Sequence, residues 1–299
     1  MSVLIVGSVA LDTIRTPLGA CRKVLGGSAV FSAVSASYFS PVNLVAVVGK
    51  DFPVEYVSLM KDKGIDTEGL ETADGDTFCW EGEYSGDFGD PRTIATHLNV
   101  FAAFQPRIPA RYRNSKFLFL ANIDPELQEK VLTQVNRPKL VLCDTMNFWI
   151  NNKRKELLRL LKKVDIFLLN SMEARMLSGE HNLALAAKKL LKSGPKKIII
   201  KKGEHGAIMF SKDSTFTVPA YILDSVYDPT GAGDTFAGGL IGYLAKCGKV
   251  NNDTLRKAIV YGSIMATFAV EDFSVRKLAL ISRKEIQRRY KLFCRLTKF

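Results

Sequence analysis

The sequence predicts an α/β fold in which a mostly parallel sheet is flanked by helices on both faces. Short apolar runs rich in β-branched residues alternate with amphipathic stretches along most of the chain. Because these runs are apolar at nearly every position, both faces of each strand should be buried. The chain has 299 residues, of which 47% are hydrophobic, so it can bury a large core. No internal repeat or linker interrupts it, and we expect one principal domain over residues 1–299.

Strands and helices are predicted in alternation along the chain. Strands are expected at 3–9, 44–48, 117–120, 140–143, 166–169, 198–201 and 207–210, and helices near 28–39, 54–63, 126–136, 152–163, 182–193, 234–247 and 253–270. Gly64 fits the residue that ends the second helix. Pro125 fits the first turn of the third helix, where a missing N–H group is tolerated.

Two segments depart from that alternation. Residues 76–99 alternate between apolar and polar side chains on either side of a turn-forming stretch at 86–91, which predicts an antiparallel hairpin. Residues 13–24 are expected to add one or two short strands. The pattern alone fits an ordinary edge hairpin and a flap over a ligand site equally well.

Composition limits the location and the class of partner. The five cysteines lie far apart and form no C-x-x-C pair, which is typical of reduced thiols in a cytoplasmic protein. No apolar run reaches the length that spans a membrane, and the first residues are predicted to form a strand rather than a signal peptide. We therefore expect a cytoplasmic protein with no membrane partner.

The net charge of +12 is unevenly distributed. Residues 1–150 carry 14 basic and 17 acidic side chains, whereas residues 151–299 carry 28 and 13. A basic half suits a polyanionic ligand such as ATP, although the simpler explanation is that lysine pairs solvate helix faces. No helix-turn-helix, RRM or zinc-finger pattern occurs in the sequence, so we expect no nucleic-acid partner.

The most informative stretch is 228–240, which predicts a turn followed by the start of a helix. Pro229 disfavours helix at Asp228, and two glycines permit tight backbone and the close approach of a ligand. Free N–H groups at residues 230–233 would then face an anion at the helix N-terminus. Asp234 stands at the mouth of this cradle, where an acidic side chain implies a chemical role. The spacing fits neither a dinucleotide fingerprint nor a Walker motif.

Residues 228–236 closely resemble the signature D-x-T-G-A-G-D-x-F of the ribokinase-like (PfkB) carbohydrate kinase family. The resemblance implies that the amides of Gly231, Ala232 and Gly233 hold the transferring γ-phosphate of ATP and that Asp234 is the catalytic base. It also implies a ribokinase-like fold in which segments 13–24 and 76–99 form a small β lid over the acceptor. In some members two lids pair into a homodimer, which makes such a dimer possible here.

The same resemblance extends to the acceptor side of the site. Asp12 follows the first predicted strand, and the resemblance implies that it accepts hydrogen bonds from acceptor hydroxyls, with Gly26 and Gly27 bringing backbone close to the ligand. The family has an asparagine four residues after the second glycine, where this chain has Phe31. That departure suggests that the acceptor is a polyol other than ribose, or one that is held more by stacking on a ring. Asp51, in a V-G-x-D match, is predicted either to cap a helix or to lie near the ligand.

On the nucleotide side, Asn170 and Glu173 match the family's N-x-x-E. This spacing also fits a helix-capping box, and Glu173 could in addition hold Mg²⁺ through water. The remaining nucleotide-binding residues that the resemblance implies are Lys202, Gly203, Gly206, Thr230 and Ala266. It further implies a K⁺ site formed by Asp228 and the 270–274 loop. Ser274 replaces a glycine that is common there, so the sequence does not decide whether the cation binds.

The sequence therefore predicts an ATP- and Mg²⁺-dependent kinase that phosphorylates a hydroxyl group, a primary one by preference, of a sugar or related polyol. Two alternatives remain. An aromatic pocket at Trp80, Tyr84 and Phe88 would favour a nucleoside (adenosine-like) kinase. A non-catalytic sugar or nucleotide sensor on the same fold is the other. Asp144 ends a predicted strand on the ligand side and receives no assigned role.

Overall fold

The computed structural model describes residues 1–86, 88–89 and 91–298. Its strands are β1 (Val3–Val6), β2 (Ala10–Thr16), β3 (Gly19–Gly26), β4 (Val42–Val48), β5 (Ile65–Thr72), β6 (Cys79–Glu83), β7 (Arg92–His97), β8 (Phe117–Leu120), β9 (Leu140–Cys143), β10 (Ile166–Asn170), β11 (Lys197–Lys201), β12 (Ala207–Ser211) and β13 (Thr215–Val218). Its α-helices are α1 (Ser28–Ser37), α2 (Val54–Asp62), α3 (Pro125–Leu132), α4 (Asn147–Asn152), α5 (Arg154–Leu161), α6 (Ser171–Ser178), α7 (Leu183–Leu191), α8 (Ala232–Cys247), α9 (Asn252–Ala269), α10 (Arg276–Leu280) and α11 (Arg283–Leu296). Short 3₁₀ helices lie at Asn99–Ala103, Ala110–Tyr112 and Gly203–His205.

Nine strands form the central sheet, in the order β13-β12-β11-β10-β9-β8-β1-β4-β5. Every pairing from β11 to β5 is parallel. Only β12 and β13, at one edge of this sheet, pair antiparallel. The predicted mostly parallel sheet is therefore confirmed, and the carboxyl ends of its parallel strands share one edge.

Helices cover both faces of this sheet, because its strand residues alternate between two apolar cores. In β11, Ile199 belongs to the core that includes α1, α8 and α9. Ile198 and Ile200 belong to the other core, with α5, α6 and α7. Strands buried on both faces must be apolar throughout, which is why they were visible in the sequence. Within the described ranges, no helix is long and apolar enough to cross a membrane.

The two departing segments form a separate four-stranded sheet, in the order β3-β2-β6-β7, which we call the small sheet. The pairs β2–β3 and β6–β7 are antiparallel hairpins. The β6–β7 hairpin was predicted, whereas only one or two short strands were expected where β2 and β3 lie. They are joined by a parallel pairing of β2 with β6, which the expected antiparallel flap did not include. The hairpin β2–β3 also begins at Ala10 and ends at Gly26, beyond the predicted 13–24. Asp87 and Asp90, in the predicted turn, lie outside the described residues.

Several elements differ from the predictions for local reasons. The first strand ends at Val6 rather than at residue 9, because Gly7 lies against Ala121 and Ser28 and the chain turns into β2. The edge strand β5 was missed because it mixes apolar residues with Asp66, Glu68 and Glu71 rather than forming an apolar run. The shorter elements β13, α4 and α10 were also not predicted, and α6 was anticipated only through its capping box.

Gly238 is where α8 packs most closely on α1. A Cβ on Gly238 would lie 2.2 Å from the carbonyl oxygen of Ser32, which is backbone and cannot rotate away. We expect Gly238→Ala to destabilise the fold by about 1–3 kcal/mol, despite the better helix propensity of alanine. Chemical denaturation would measure this loss. Gly86→Ala, where a Cβ meets nothing within 4 Å, is the control, and equal stabilities of the two variants would contradict the expectation.

Candidate active site

Three polar side chains mark the carboxyl edge of the central sheet. Asp144 directly follows β9, while Asn170 and Lys201 are the last residues of β10 and β11 and are register partners. The alternation of each strand directs all three towards the α8 face, since Leu142, Leu168 and Ile199, two residues earlier, belong to the α8 core. Parallel pairing thus brings residues that are far apart in sequence to the N-terminus of α8.

The start of α8 has the geometry of an anion cradle. Gly231 takes φ 73°, a left-handed conformation that glycine adopts readily, and its carbonyl accepts the Thr235 N–H at 2.8 Å. The Ala232 N–H donates to the Pro229 carbonyl at 3.2 Å, so this predicted cradle amide already has a partner. Within the described ranges, the N–H groups of Gly231 and Gly233 have no hydrogen-bond acceptor. These two amides are therefore the ones free to bind an anion.

Asp234 lies in the first turn of α8 and is only partly buried. Burial, together with the negative charge of Asp144, raises its pKa to about 7, while Lys201 acts in the opposite direction. A carboxylate whose pKa is near neutrality can accept a proton at physiological pH. The predicted base is thus placed next to the free amides.

Lys201 and Asp144 form an ion pair beside this turn, which the sequence did not reveal. The Lys201 Nζ lies 2.6 Å from Asp144 Oδ2, and the two side chains are 18% and 3% exposed. A Cβ on Gly233 would lie 3.0 Å from the same Nζ, so the ammonium group borders the cradle.

The acceptor-side residues Asp12, Gly26 and Gly27 come together as predicted from their order. Asp12 belongs to β2 of the small sheet, and its carboxylate accepts the Gly27 N–H. A Cβ on Gly26 would lie 1.9 Å from Asp12 Oδ2, and Gly27, at φ 95°, would clash with the Ser8 carbonyl. Both glycines are therefore required for this close packing. Burial raises the pKa of Asp12 to about 7, assisted by the charges of Asp228 and Asp234.

The Phe31 side chain packs on the turn before α8. It is 1% exposed and its ring covers Gly231, where an added Cβ would lie 2.3 Å from the ring. This contact fixes the turn, and an acceptor held by stacking stays a prediction. Asp51 does not cap α2, because its carboxylate accepts the N–H and the hydroxyl of Thr77, both at 2.7 Å. A position of Asp51 near a ligand also stays a prediction.

Asn170 and Glu173 form the capping box at the start of α6. The Glu173 N–H donates to Asn170 Oδ1 at 2.8 Å, and the Asn170 N–H donates to Glu173 Oε2 at 2.7 Å. The capping reading of this motif is confirmed. A contact of Glu173 with Mg²⁺ stays a prediction.

The predicted nucleotide loop is a tight connection between β11 and β12. The Lys202 N–H donates to the Gly206 carbonyl at 2.7 Å. Gly206 takes φ 84°, and a Cβ there would lie 2.1 Å from the Val218 carbonyl oxygen, so this glycine serves chain packing. Gly203, at φ 55°, faces open space in which a ligand could lie. Ala266 lies on α9, partly buried against the α8 core.

Asp228 is fully buried before the cradle. Its Oδ1 accepts the Thr230 N–H at 2.9 Å, whereas its Oδ2 has no hydrogen-bond partner among the described residues. Burial raises its pKa, against hydrogen bonds from Thr230 and from the backbone of Ser274. The 270–274 loop adjoins it, because the Val270 carbonyl accepts the Asp228 N–H at 3.4 Å. Ser274 takes φ 60°, which explains why glycine would fit that position easily.

The small sheet contacts the same turn. The Tyr84 hydroxyl lies 3.0 Å from Thr230 Oγ1. The ring of Tyr84 packs with Ile14, Cys21 and Phe273 in a small apolar cluster, and Trp80 and Phe88 lie at its margin. The aromatic residues of the flap thus build the core of the small sheet, and their placement does not distinguish a sugar from a nucleoside.

Fold and site together define a kinase of the ribokinase-like class, a phosphotransferase with a hydroxyl acceptor. Residues 2–280 match the sequence profile of the pfkB family carbohydrate kinases. The chain belongs to this family.

The chain is 30% identical over 272 residues to cytidine kinase from Thermococcus kodakarensis, covering 87% of this chain and 96% of that protein. It is 24% identical over 311 residues to inositol 3-kinase from Arabidopsis thaliana, covering 97% and 80%. The fold matches a protein from E. coli described as ribokinase II, in complex with ATP and Mg²⁺, with a TM-score of 0.79 at 19% identity, covering 97% and 99%.

Asp12→Asn should stabilise the unliganded protein at alkaline pH. Because the pKa of Asp12 is raised to about 7 on folding, its ionisation opposes folding, and the wild type loses stability as pH rises from about 4 through 7. Asparagine cannot ionise, so it avoids this loss of stability, and its side-chain oxygen can still accept the Gly27 N–H. We expect the variant to be more stable by about 1–3 kcal/mol at pH 8, with the difference shrinking towards pH 4.

Denaturant unfolding at several pH values would measure this difference. The exposed Asp213→Asn is the matched control. A stability difference between Asp12→Asn and wild type that stays constant from pH 4 to 8 would show that the Asp12 carboxylate is not strained by burial.

Proposed function

We propose that this chain transfers the γ-phosphate of ATP to a hydroxyl group, a primary one by preference, of a small acceptor. The observation that carries the proposal is the first turn of α8, where Asp234, with its pKa raised to about 7, stands beside the unbonded amides of Gly231 and Gly233. Asp234 can take a proton, while the two amides stabilise the charge that develops on the phosphoryl group.

The acceptor would lie between the small sheet and α8. Asp12, Gly26 and Gly27 orient it, and Asp234 takes the proton of the attacking hydroxyl. The negative charge of Asp234 contributes to the raised pKa of Asp12, which is consistent with the two carboxyl groups lying near one another. Because phosphoryl transfer passes through a loose transition state, the proton can leave late and positioning contributes most of the acceleration. The small sheet would act as the lid that excludes water, and two such lids could pair in a homodimer.

ATP would lie along the ends of β10 and β11, with its γ-phosphate at the cradle. The residues proposed to contact it are Asn170, Glu173, Lys202, Gly203, Gly206, Thr230 and Ala266. Within the described ranges, no group of three or more His, Cys, Asp or Glu side chains could hold a metal ion. This fits Mg²⁺ that arrives on the nucleotide and is held through water by Glu173, where it neutralises phosphate charge.

Two classes of acceptor fit this site. A sugar or polyol is the acceptor that the family signature suggests, and the similarity to inositol 3-kinase is consistent with it. A nucleoside is favoured by the similarity to cytidine kinase, which extends over 96% of that protein. Both classes present hydroxyl groups of a ring to Asp12, so the same catalytic groups serve either.

Asp234→Asn should remove turnover while leaving nucleotide binding intact. The measurement is ADP release with Mg-ATP against cytidine, uridine, adenosine, inosine, ribose, deoxyribose, fructose and myo-inositol. With the acceptor that the wild type uses, we expect kcat of the variant to fall by about 10²–10⁴-fold, since the base is lost but the cradle is retained. ATP affinity, measured by calorimetry, should stay close to that of the wild type.

Asp213→Asn serves as the control with normal turnover. Near-normal turnover of Asp234→Asn would refute the assignment of the base. A wild type that binds ATP but phosphorylates none of these acceptors would favour the sensor, and one that binds no ATP would contradict the kinase proposal as a whole.

We also propose that a monovalent cation, K⁺ in particular, binds near Asp228. The buried, unpartnered Oδ2 of Asp228 is the observation in favour, because a cation would supply its missing partner. We expect KCl to raise kcat/KM relative to tetramethylammonium chloride at the same ionic strength, and Asp228→Asn to lose this response. Equal wild-type rates in the two salts would exclude the cation.

A further inference from the structure

We propose that a cavity between the chain that follows α1 and the helices α8, α9 and α11 is a second ligand site. Its ligand is a small molecule with a planar heteroaromatic ring and an anionic group, as in a nucleoside monophosphate. We call this space, which Tyr243, Lys246, Cys247 and Arg283 help to line, the distal cavity. The inference goes beyond the proposed phosphoryl transfer and does not depend on it.

The distal cavity lies at the opposite end of α8 from the candidate active site. Tyr243, Lys246 and Cys247 of α8 line it, and Cys247 is the last residue of that helix. At 1.5 Å per residue, Cys247 is about 20 Å along the helix axis from Asp234. A molecule in the distal cavity would therefore not overlap one that is bound at the cradle.

The size of the distal cavity matches a small ligand rather than a packing defect. Its volume is about 560 Å³. This lies within the range of roughly 300–1,000 Å³ that small-molecule sites usually have, whereas voids in a packed interior seldom exceed a water molecule. Lys246, Arg283 and Gln287 line the cavity and are exposed, so a ligand can enter from solvent.

Aromatic rings form much of the wall and are held in place by their neighbours. The lining includes Tyr38, Phe39, Tyr243 and Tyr261. The rings of Tyr243 and Tyr261 stack with their centroids 4.4 Å apart, and Phe39 meets the Tyr261 ring at 70°. Gln287 Nε2 donates to the Tyr261 hydroxyl at 3.0 Å. Because these contacts fix the rings in advance, a planar ligand can pack on them with little loss of side-chain freedom.

The charges around the distal cavity favour an anion. Lys246 and Arg283 line it, and in the part of the chain that the structure describes neither forms an ion pair. Burial raises the pKa of Tyr38, and the nearby charge of Glu285 adds to this effect. The Glu285 carboxylate is already engaged, since its Oε2 accepts the N–H and the hydroxyl of Ser282 at 2.7 and 2.8 Å. Two cations without partners beside aromatic walls match a flat ring that carries a negative charge.

Alkylation of Cys247 tests the site directly, because this thiol lines the distal cavity. The labelling rate with iodoacetamide would be followed by mass spectrometry in the presence of AMP, CMP, adenosine, cytidine or ribose 5-phosphate. Cys294, which is exposed on α11, is the reference thiol. We expect AMP or CMP to half-protect Cys247 at a concentration about 10-fold or more below that of its nucleoside, which lacks the anion, and of ribose 5-phosphate, which lacks the ring.

Lys246→Glu and the control Lys249→Glu make the same change in net charge. Lys249 is exposed two residues beyond the end of α8 and does not line the distal cavity. Each variant is compared with and without nucleotide, so that a change in the intrinsic reactivity of Cys247 cancels. We expect the half-protecting concentration to rise by about 10-fold or more in Lys246→Glu and by less than about 3-fold in Lys249→Glu. Arg283→Glu should behave like Lys246→Glu and stays informative if the latter does not fold.

Equal protection by a nucleotide and its nucleoside, or equal losses in Lys246→Glu and Lys249→Glu, would overturn the proposal. Labelling of Cys247 that neither AMP nor CMP slows would do the same. Labelling that slows as the protein concentration rises, with no nucleotide added, would show that a second copy of the chain covers the cavity instead. None of these measurements uses turnover, so they separate this site from the kinase proposal.

Discussion

The structure depends on how closely the first turns of α8 approach their surroundings. Gly231 fits beneath the ring of Phe31, and Gly238 lies against the backbone of Ser32. These contacts hold the helix N-terminus at the carboxyl edge of the sheet, where two backbone amides remain unbonded. Asp234 lies in the first turn of this helix, and the Lys201 ammonium group, at the end of β11, borders the same turn. Burial at this position raises the pKa of Asp234, although a helix start by itself favours negative charge.

Most of the central sheet could be predicted because burial on both faces leaves an unambiguous apolar run. The edge strand β5 could not, since one exposed side allows Asp66, Glu68 and Glu71 to interrupt the run. The β6–β7 hairpin of the small sheet could be predicted from the alternation of its side chains and from its turn residues. The parallel pairing of β2 with β6 joins residues 68 positions apart, such as Leu11 and Cys79, and therefore leaves no local signal in the sequence.

The residues of the candidate site likewise divide into those that a sequence motif reveals and those that only the fold brings together. Asp12, the glycines and Asp234 lie in motifs whose spacing carries information, whereas Asp144 and Lys201 meet only through the order of β9, β10 and β11. Phe31 and Asp51 show the converse, since each occupies a motif position but is held by packing or by Thr77. A motif indicates which residues gather at an edge, and side-chain contacts decide which of them face the cavity.

The carboxylates around Lys201 bear on whether the proposed site would accept a metal-bound or a metal-free nucleotide. Asp144, Glu173 and Asp234 face one ammonium group, so the immediate surroundings of the cradle are negative within a chain whose overall charge is +12. The long-range field attracts any polyphosphate, but the local field repels one whose charge is uncompensated. Under the proposed function, the overall positive charge would concentrate nucleotides near the protein, and the local negative charge would favour those that carry their own metal.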